Sequence, residues 1–295
     1  MDQLTNNIFD TALIFEGGGM RASYTCAIAN VLLENDIYFD HVYGVSAGSS
    51  NAINYLSRDR CRTRASFTEF SKDPHFGGLG TFLRHRGMFN SHYIYQVAGN
   101  PDGALPFDFE TFSANPGDAT ISGFERDTGI TRYWSKADFP DLAALMLRVR
   151  ASSTLPFFMP PPLVDGQRCY DGGLAEGTGL LLEQARRDGF KRFFIVRTRP
   201  KEYRKDTARN VLYDLLFFRR PLTRQALDTR SERYNATCDE IDRLAEEGSA
   251  CVVYAERITA KSSTRDLTLL EANYAAGYEQ GTRELPRWKA FLGLS

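Results

Sequence analysis

The sequence is short of histidine. It has four, His41, His75, His85 and His92, and none follows position 92. This excludes any hydrolase triad in which the histidine comes after the serine and the acid along the chain. The four also lack ligand-like spacing, so no metal is expected. Cys26, Cys61, Cys169, Cys238 and Cys251 are odd in number, widely spaced and without a CxxC pair; this argues against a disulfide framework or zinc site and for small core hydrophobes. Charge of one sign is missing too: 36 basic and 37 acidic residues leave a net −1, so nothing global draws the chain to nucleic acid. No run of about 18 apolar residues occurs. "MDQLTNNIFD" at the start has no basic stretch leading into an apolar one. Neither secretion nor membrane spanning is expected, and the protein reads as cytoplasmic. No internal repeat or low-complexity segment is evident.

What is present is ordinary globular material, 42% hydrophobic and 25% charged over 295 residues, enough for one large α/β domain or two smaller ones. The informative part lies in the first fifty residues. "TALIF", residues 11–15, is a short apolar run that suits a buried parallel strand. It runs through Glu16 into Gly17, Gly18 and Gly19. Tyr24, Ala27, Ile28, Val31 and Leu32 then recur at helical spacing, which predicts a helix of about four turns ending near Asn35 and Asp36. A second strand through Val42 to Val45 turns at Gly44-Val45-Ser46-Ala47-Gly48 into a helix from Ala47. Two successive βα units argue for a mainly parallel sheet covered by helices.

The second turn is GxSxG, with Ser46 where a nucleophile elbow needs it. On so sharp a turn, side chains two residues before and after the serine would collide, so small residues occupy both places. The helix that follows aims its positive end at the serine. The glycine loop has two competing uses. Gly17 to Ala22 satisfies GxGxxG/A, a dinucleotide fingerprint, but the acidic residue about 20 positions on, Asp40, lies at the wrong end of its strand. A Walker A loop is excluded because no GK[ST] follows. If Ser46 is a nucleophile, the loop's backbone amides can instead gather around an oxyanion. Arg21 then braces the loop or meets an anionic substrate, unless it is a solvated helix-start residue.

A serine nucleophile needs a base. Downstream lies "RCYDGGLAEG", with Asp171 before two glycines. Burial would raise its carboxyl toward a useful basicity, and Gly172 and Gly173 would permit close backbone approach. DGG by itself is also a common turn.

The set of GGGxR, GxSxG and a distant DGG resembles the patatin-like phospholipase family, in its bacterial branch. "ASSTLPFFMPPPLVDGQRCYDGGLAEG" is similar to the segment that carries the catalytic aspartate there. The resemblance implies a three-layer α/β/α patatin-like fold with a mainly parallel central sheet. It implies lipid acyl hydrolysis, of phospholipase A or lysophospholipase type, by a Ser46–Asp171 dyad with Gly17, Gly18, Gly19 and Arg21 at the oxyanion hole, and no cofactor. The substrate would be a phospholipid or other acyl ester. Two departures stand out: Ala22 where the family loop usually has glycine, and "LAEGTGL" after the DGG. They motivate an alternative, a lipid or acyl-chain binding protein with weak or no hydrolysis.

The expected organisation is a catalytic domain over 8–200 and a helical extension over 201–295 whose late strand, "ACVVYAE", completes the same sheet. Residues 57–118, with "RDRCRTR", "RHRGMF" and "ALPFDFETF", read as loop-rich cap material. "ATISGFERDTGITRYW" reads as a hairpin about Asp127-Thr128-Gly129, "DLAALMLRVR" as a helix and "KRFFIVRTR" as a strand. Leu155, Phe157, Phe158 and Met159 are candidates for an acyl-chain pocket. "LLFFRRPLTR" sets apolar and cationic residues together, which suits peripheral contact with a membrane or a partner helix. A last helix is predicted over about 264–284.

Overall fold

In the computed structural model, which describes residues 4–84, 87–208 and 211–294, apolar strands and amphipathic helices alternate along the chain. His85 and Arg86 of the basic cap segment, and Arg209 and Asn210 of the extension, lie outside the described residues. The elements are β1 (Thr11–Phe15), α1 (Ala22–Glu34), β2 (His41–Gly44), α2 (Ala47–Leu56), α3 (Arg60–Ala65), α4 (Leu79–Leu83), α5 (Phe109–Ala114), β3 (Asp118–Glu125), β4 (Thr131–Trp134) and α6 (Leu142–Ser152). They continue as β5 (Leu163–Val164), β6 (Gln167–Asp171), α7 (Leu182–Arg187), β7 (Arg192–Val196), α8 (Val211–Leu216), α9 (Pro221–Glu246), β8 (Ala250–Val253) and α10 (Leu267–Leu292).

β3, β2, β1, β7 and β8 form a parallel sheet in that order, because each strand feeds a helix that must return to the same edge direction. Alternate side chains sort to two cores. Leu13, Phe15, Val42, Phe194, Val196 and Val253 face α1, α2, α6 and α10, whereas Ala12, Ile14, Tyr43, Phe193, Ile195 and Val252 face α7 and α9. The result is a mixed α/β fold of three layers with a mainly parallel central sheet. β8 pairs with β7, so the late strand joins this sheet. α10 packs on α1 through Gly277 and Gly281: a Cβ on Gly277 would collide with the Tyr24 carbonyl, and the Tyr24 hydroxyl bonds Gln280.

Two expectations change. The last helix runs to Leu292, through Pro286, because Trp288 is fully buried against Phe194 and its burial outweighs the lost backbone bond. Residues 57–118 hold short helices and a π-helical turn, Tyr93–Val97, where a loop-rich cap was expected; segments of five or six residues are too brief to show a helical period. Of the cysteines, four are buried and Cys61 is exposed, and all five are free.

The placement that matters is on β3. Ile121 pairs with Gly44 and with Trp134, and Gly123 pairs with Asp171 and with Arg132. β2 and β6 therefore follow one another along the edge of β3 opposite β4. The end of β2, which leads to Ser46, meets the end of β6, which is Asp171.

Candidate active site

Ser46 sits between β2 and α2 at φ 56, ψ −126, a left-handed conformation that costs a non-glycine residue about 1–3 kcal/mol. Its surroundings hold it there. Its N–H donates to Ser152 Oγ at 3.0 Å, and its carbonyl accepts from Ser49 N at 2.9 Å and Ser49 Oγ at 2.5 Å. A side chain on Gly44 would strike the Gly48 backbone, and one on Gly48 would strike the Phe15 carbonyl. The GxSxG pattern is thus required by contact as well as by turn geometry.

Asp171 is 4% exposed. Burial pushes its carboxyl above the ordinary aspartate range, against the opposing pull of the nearby Ser46 hydroxyl, the Gly173 amide, and the charges of Arg230 and Lys205. Gly173 N donates to Asp171 Oδ1 at 2.6 Å, and Asp171 N donates to the Thr154 carbonyl at 2.8 Å. A buried carboxylate of raised basicity beside a strained serine can accept the serine's proton. Among the described residues, no histidine partners either group: His41 stacks on Tyr43 at the far end of β2, and His75 and His92 are exposed.

The glycine loop lies against the elbow. A Cβ on Gly17 would come 3.3 Å from Ser46 Cβ, one on Gly18 would meet Thr198, and Gly19, at φ 56, approaches the Ser262 carbonyl. The Gly17 amide, expected at the oxyanion hole, is already used: it donates to the Gly179 carbonyl at 3.0 Å. The turn that departs from the family pattern, "LAEGTGL", folds back and holds the loop through this bond. The amides of Gly18, Gly19 and Ala47 remain unpaired among the described residues. Arg21 keeps its Nε enclosed without a hydrogen-bond partner among the described residues. Ala22 begins α1 with φ −66, so its methyl needs no glycine conformation.

Of the acyl-pocket candidates, Met159 is buried, whereas Phe157 and Phe158 expose about half of their surface and pack on one another at 5.4 Å. They stand at the surface.

Several participants carry no local sequence signal. Ser152 fixes the Ser46 amide from α6. Tyr95, on the π-helical turn, places its hydroxyl 3.4 Å from Ser50 Oγ, one turn beyond Ser46. Glu16 closes β1 in a fully buried network: Arg197 Nε donates to it at 3.0 Å, the Thr198 amide at 2.6 Å and the Tyr234 hydroxyl at 2.5 Å. Burial would raise its carboxyl, but the Arg197 charge and these bonds outweigh it and lower it.

Comparison with known proteins follows the same lines. A structure of VipD from Legionella pneumophila matches over 94% of this chain and 67% of its own, with a TM-score of 0.52 and 11% identity, a likeness of fold alone. Among curated proteins none matches the chain. Residues 220–293 match a domain of unknown function (DUF6363). Residues 13–182, more than half of the chain, match the patatin-like phospholipases, and the chain belongs to that family.

Proposed function

We propose that the protein is a serine esterase that hydrolyses lipid acyl esters, of phospholipase A or lysophospholipase type. The observation that carries this reading is the meeting of β2 and β6 on one edge of β3, which brings Asp171 to Ser46. The Ser46 hydroxyl attacks the ester carbonyl as Asp171 takes its proton. Negative charge that develops on the carbonyl oxygen is met by the unpaired amides of Gly18, Gly19 and Ala47, each worth about 3 kcal/mol of barrier. The leaving alcohol receives the proton from Asp171. Water, deprotonated by the same aspartate, then releases the acid from the acyl serine.

The test is release of p-nitrophenol from short and long acyl esters by wild type, Ser46→Ala and Asp171→Asn. Loss in both variants supports the dyad, whereas retained turnover in Ser46→Ala rejects it and wild-type silence on every ester favours a binding role.

Peripheral membrane contact belongs to the same reading. Leu215 and Phe218 are more than two-thirds exposed beside Arg219 and Arg220, and among the described residues no helix is long and apolar enough to cross a membrane. Phe218→Asp is expected to weaken co-sedimentation with anionic vesicles; unchanged binding would remove this face from the interface.

A further inference from the structure

The arginines of α9 fall into two groups. Arg224 pairs with Asp214 and Asp228, and Arg243 with Glu240 and Glu247. Arg204, just before α8, pairs with Asp239 and Asp242. Near Asp171 the pattern stops. Arg230 has no carboxylate partner among the described residues, and its Nε is enclosed without a hydrogen bond. A methyl added to Gly173 would lie 3.4 Å from Arg230 Nη2 and 2.8 Å from Asp171 Oδ1, so guanidinium and carboxylate flank the same glycine.

Lys205 stands by the same site. Its Nζ lies 3.7 Å from the centre of the Tyr234 ring and has no hydrogen bond or ion pair among the described residues. The acids within its electrostatic reach, Glu16 and Asp171, are both engaged elsewhere. The two cations are also firmly placed. Asn235 bonds the Lys205 backbone twice, at 2.7 and 2.9 Å, and Arg233 ties α9 to the Leu174 and Ala175 carbonyls directly after Asp171.

A guanidinium and an amine held close together and partly enclosed, with no ion pair among the described residues, cost free energy. Such an arrangement is suited to an anion. We infer that Lys205 and Arg230, both from beyond residue 200, form a subsite beside Ser46 that receives the phosphate group of an acyl ester substrate. Arg230 supplies the planar donor pair suited to phosphate oxygens, and Lys205 the point charge. Burial, with the Arg230 charge beside it, pulls the free Lys205 ammonium down to about 6 against weaker support from Glu16, Cys238 and Asp171. An arriving phosphate opposes that pull and restores the ammonium. The inference rests on the reading of Ser46 as nucleophile.

Two measurements test it and separate its failure from that of the parent reading. The first compares kcat/KM on 1-oleoylglycerol 3-phosphate with that on 1-oleoylglycerol. The expected result is a ten- to hundredfold fall in this ratio for Arg230→Gln and for Lys205→Met, with partial recovery in Arg230→Lys. An unchanged ratio, even with slower turnover of both esters, would mean that the cations only tune Asp171 and would overturn the subsite. The second follows thermal unfolding with glycerol 3-phosphate, inorganic phosphate or glycerol, and needs no turnover. If wild type hydrolyses neither ester, the esterase reading fails, and a Tm rise with glycerol 3-phosphate that is lost in the variants still supports the subsite. A rise as large with inorganic phosphate alone assigns the site to the free ion and overturns the substrate role. No rise with either phosphate overturns the site altogether.

Discussion

Two of the carboxylates buried at strand ends in this protein, Glu16 and Asp171, behave in opposite ways. Glu16 ends β1 and Asp171 ends β6, and each is under 5% exposed. Glu16 has a guanidinium at 3.0 Å, an amide and a phenol, and its carboxyl is lowered. Asp171 has one amide, with a serine hydroxyl and cations near, and its carboxyl is raised. Burial is common to both. What differs is whether the charged form has partners to replace lost water. A paired acid is held as a structural tie, whereas a poorly paired one is suited to act as a base.

The largest effect that would break this comparison is on turnover. Asp171→Asn and Ser46→Ala are each expected to reduce kcat by about 10⁴-fold in single-turnover or steady-state assays. If Glu16→Gln, folded to the same extent, reduced it as much, the division of roles would be wrong.

Next in size is stability. Glu16→Gln leaves Arg197 buried without its charge partner and is expected to cost about 3–5 kcal/mol in urea unfolding at pH 7. The lowered carboxyl stabilises the fold above the ordinary glutamate range and ceases to do so as pH falls through its folded value. The gap between wild type and Glu16→Gln should therefore close in acid. A gap that stays constant down to pH 3 would show that Glu16 contributes shape and no charge.

The pH dependence of activity sharpens the other half. The raised Asp171 must lose its proton to act as a base, so the acidic limb of kcat/KM is expected above the ordinary aspartate value of about 4. A limb at or below that value would mean a well-solvated or ion-paired carboxylate. The smallest effect is on the heat stability of Asp171→Asn. A raised carboxyl favours the fold when protonated and disfavours it as pH rises through the folded value. The asparagine variant should therefore melt above wild type at pH 8, by an amount on the order of 1 kcal/mol, and the difference should shrink toward acid.

Much of this site is legible in the chain. β1, α1 and the elbow follow from apolar runs, helical spacing and the small residues that a sharp turn needs, whereas the groups that the loop glycines approach, Thr198 and Ser262 among them, come from far along the chain. The hairpin around Asp127-Thr128-Gly129 is local in the same sense. Asp171 is visible as DGG, but not its distance from Ser46, because that depends on β3 offering one edge to two strands. The Glu16–Arg197 pair joins positions 181 apart in sequence, and no pattern near either residue announces it. The same holds for Gly17, whose amide is taken by Gly179, and for Ser152 behind the elbow.

The sequence by itself determined where the chain turns, which faces are apolar and which residue types stand at each turn, since those depend on sterics between near neighbours. The tertiary structure alone decided what each buried charge faces. Desolvation and pairing are set by groups that arrive from distant segments, and they made Glu16 a tie, raised Asp171, and left Lys205 and Arg230 with no ion pair among the described residues.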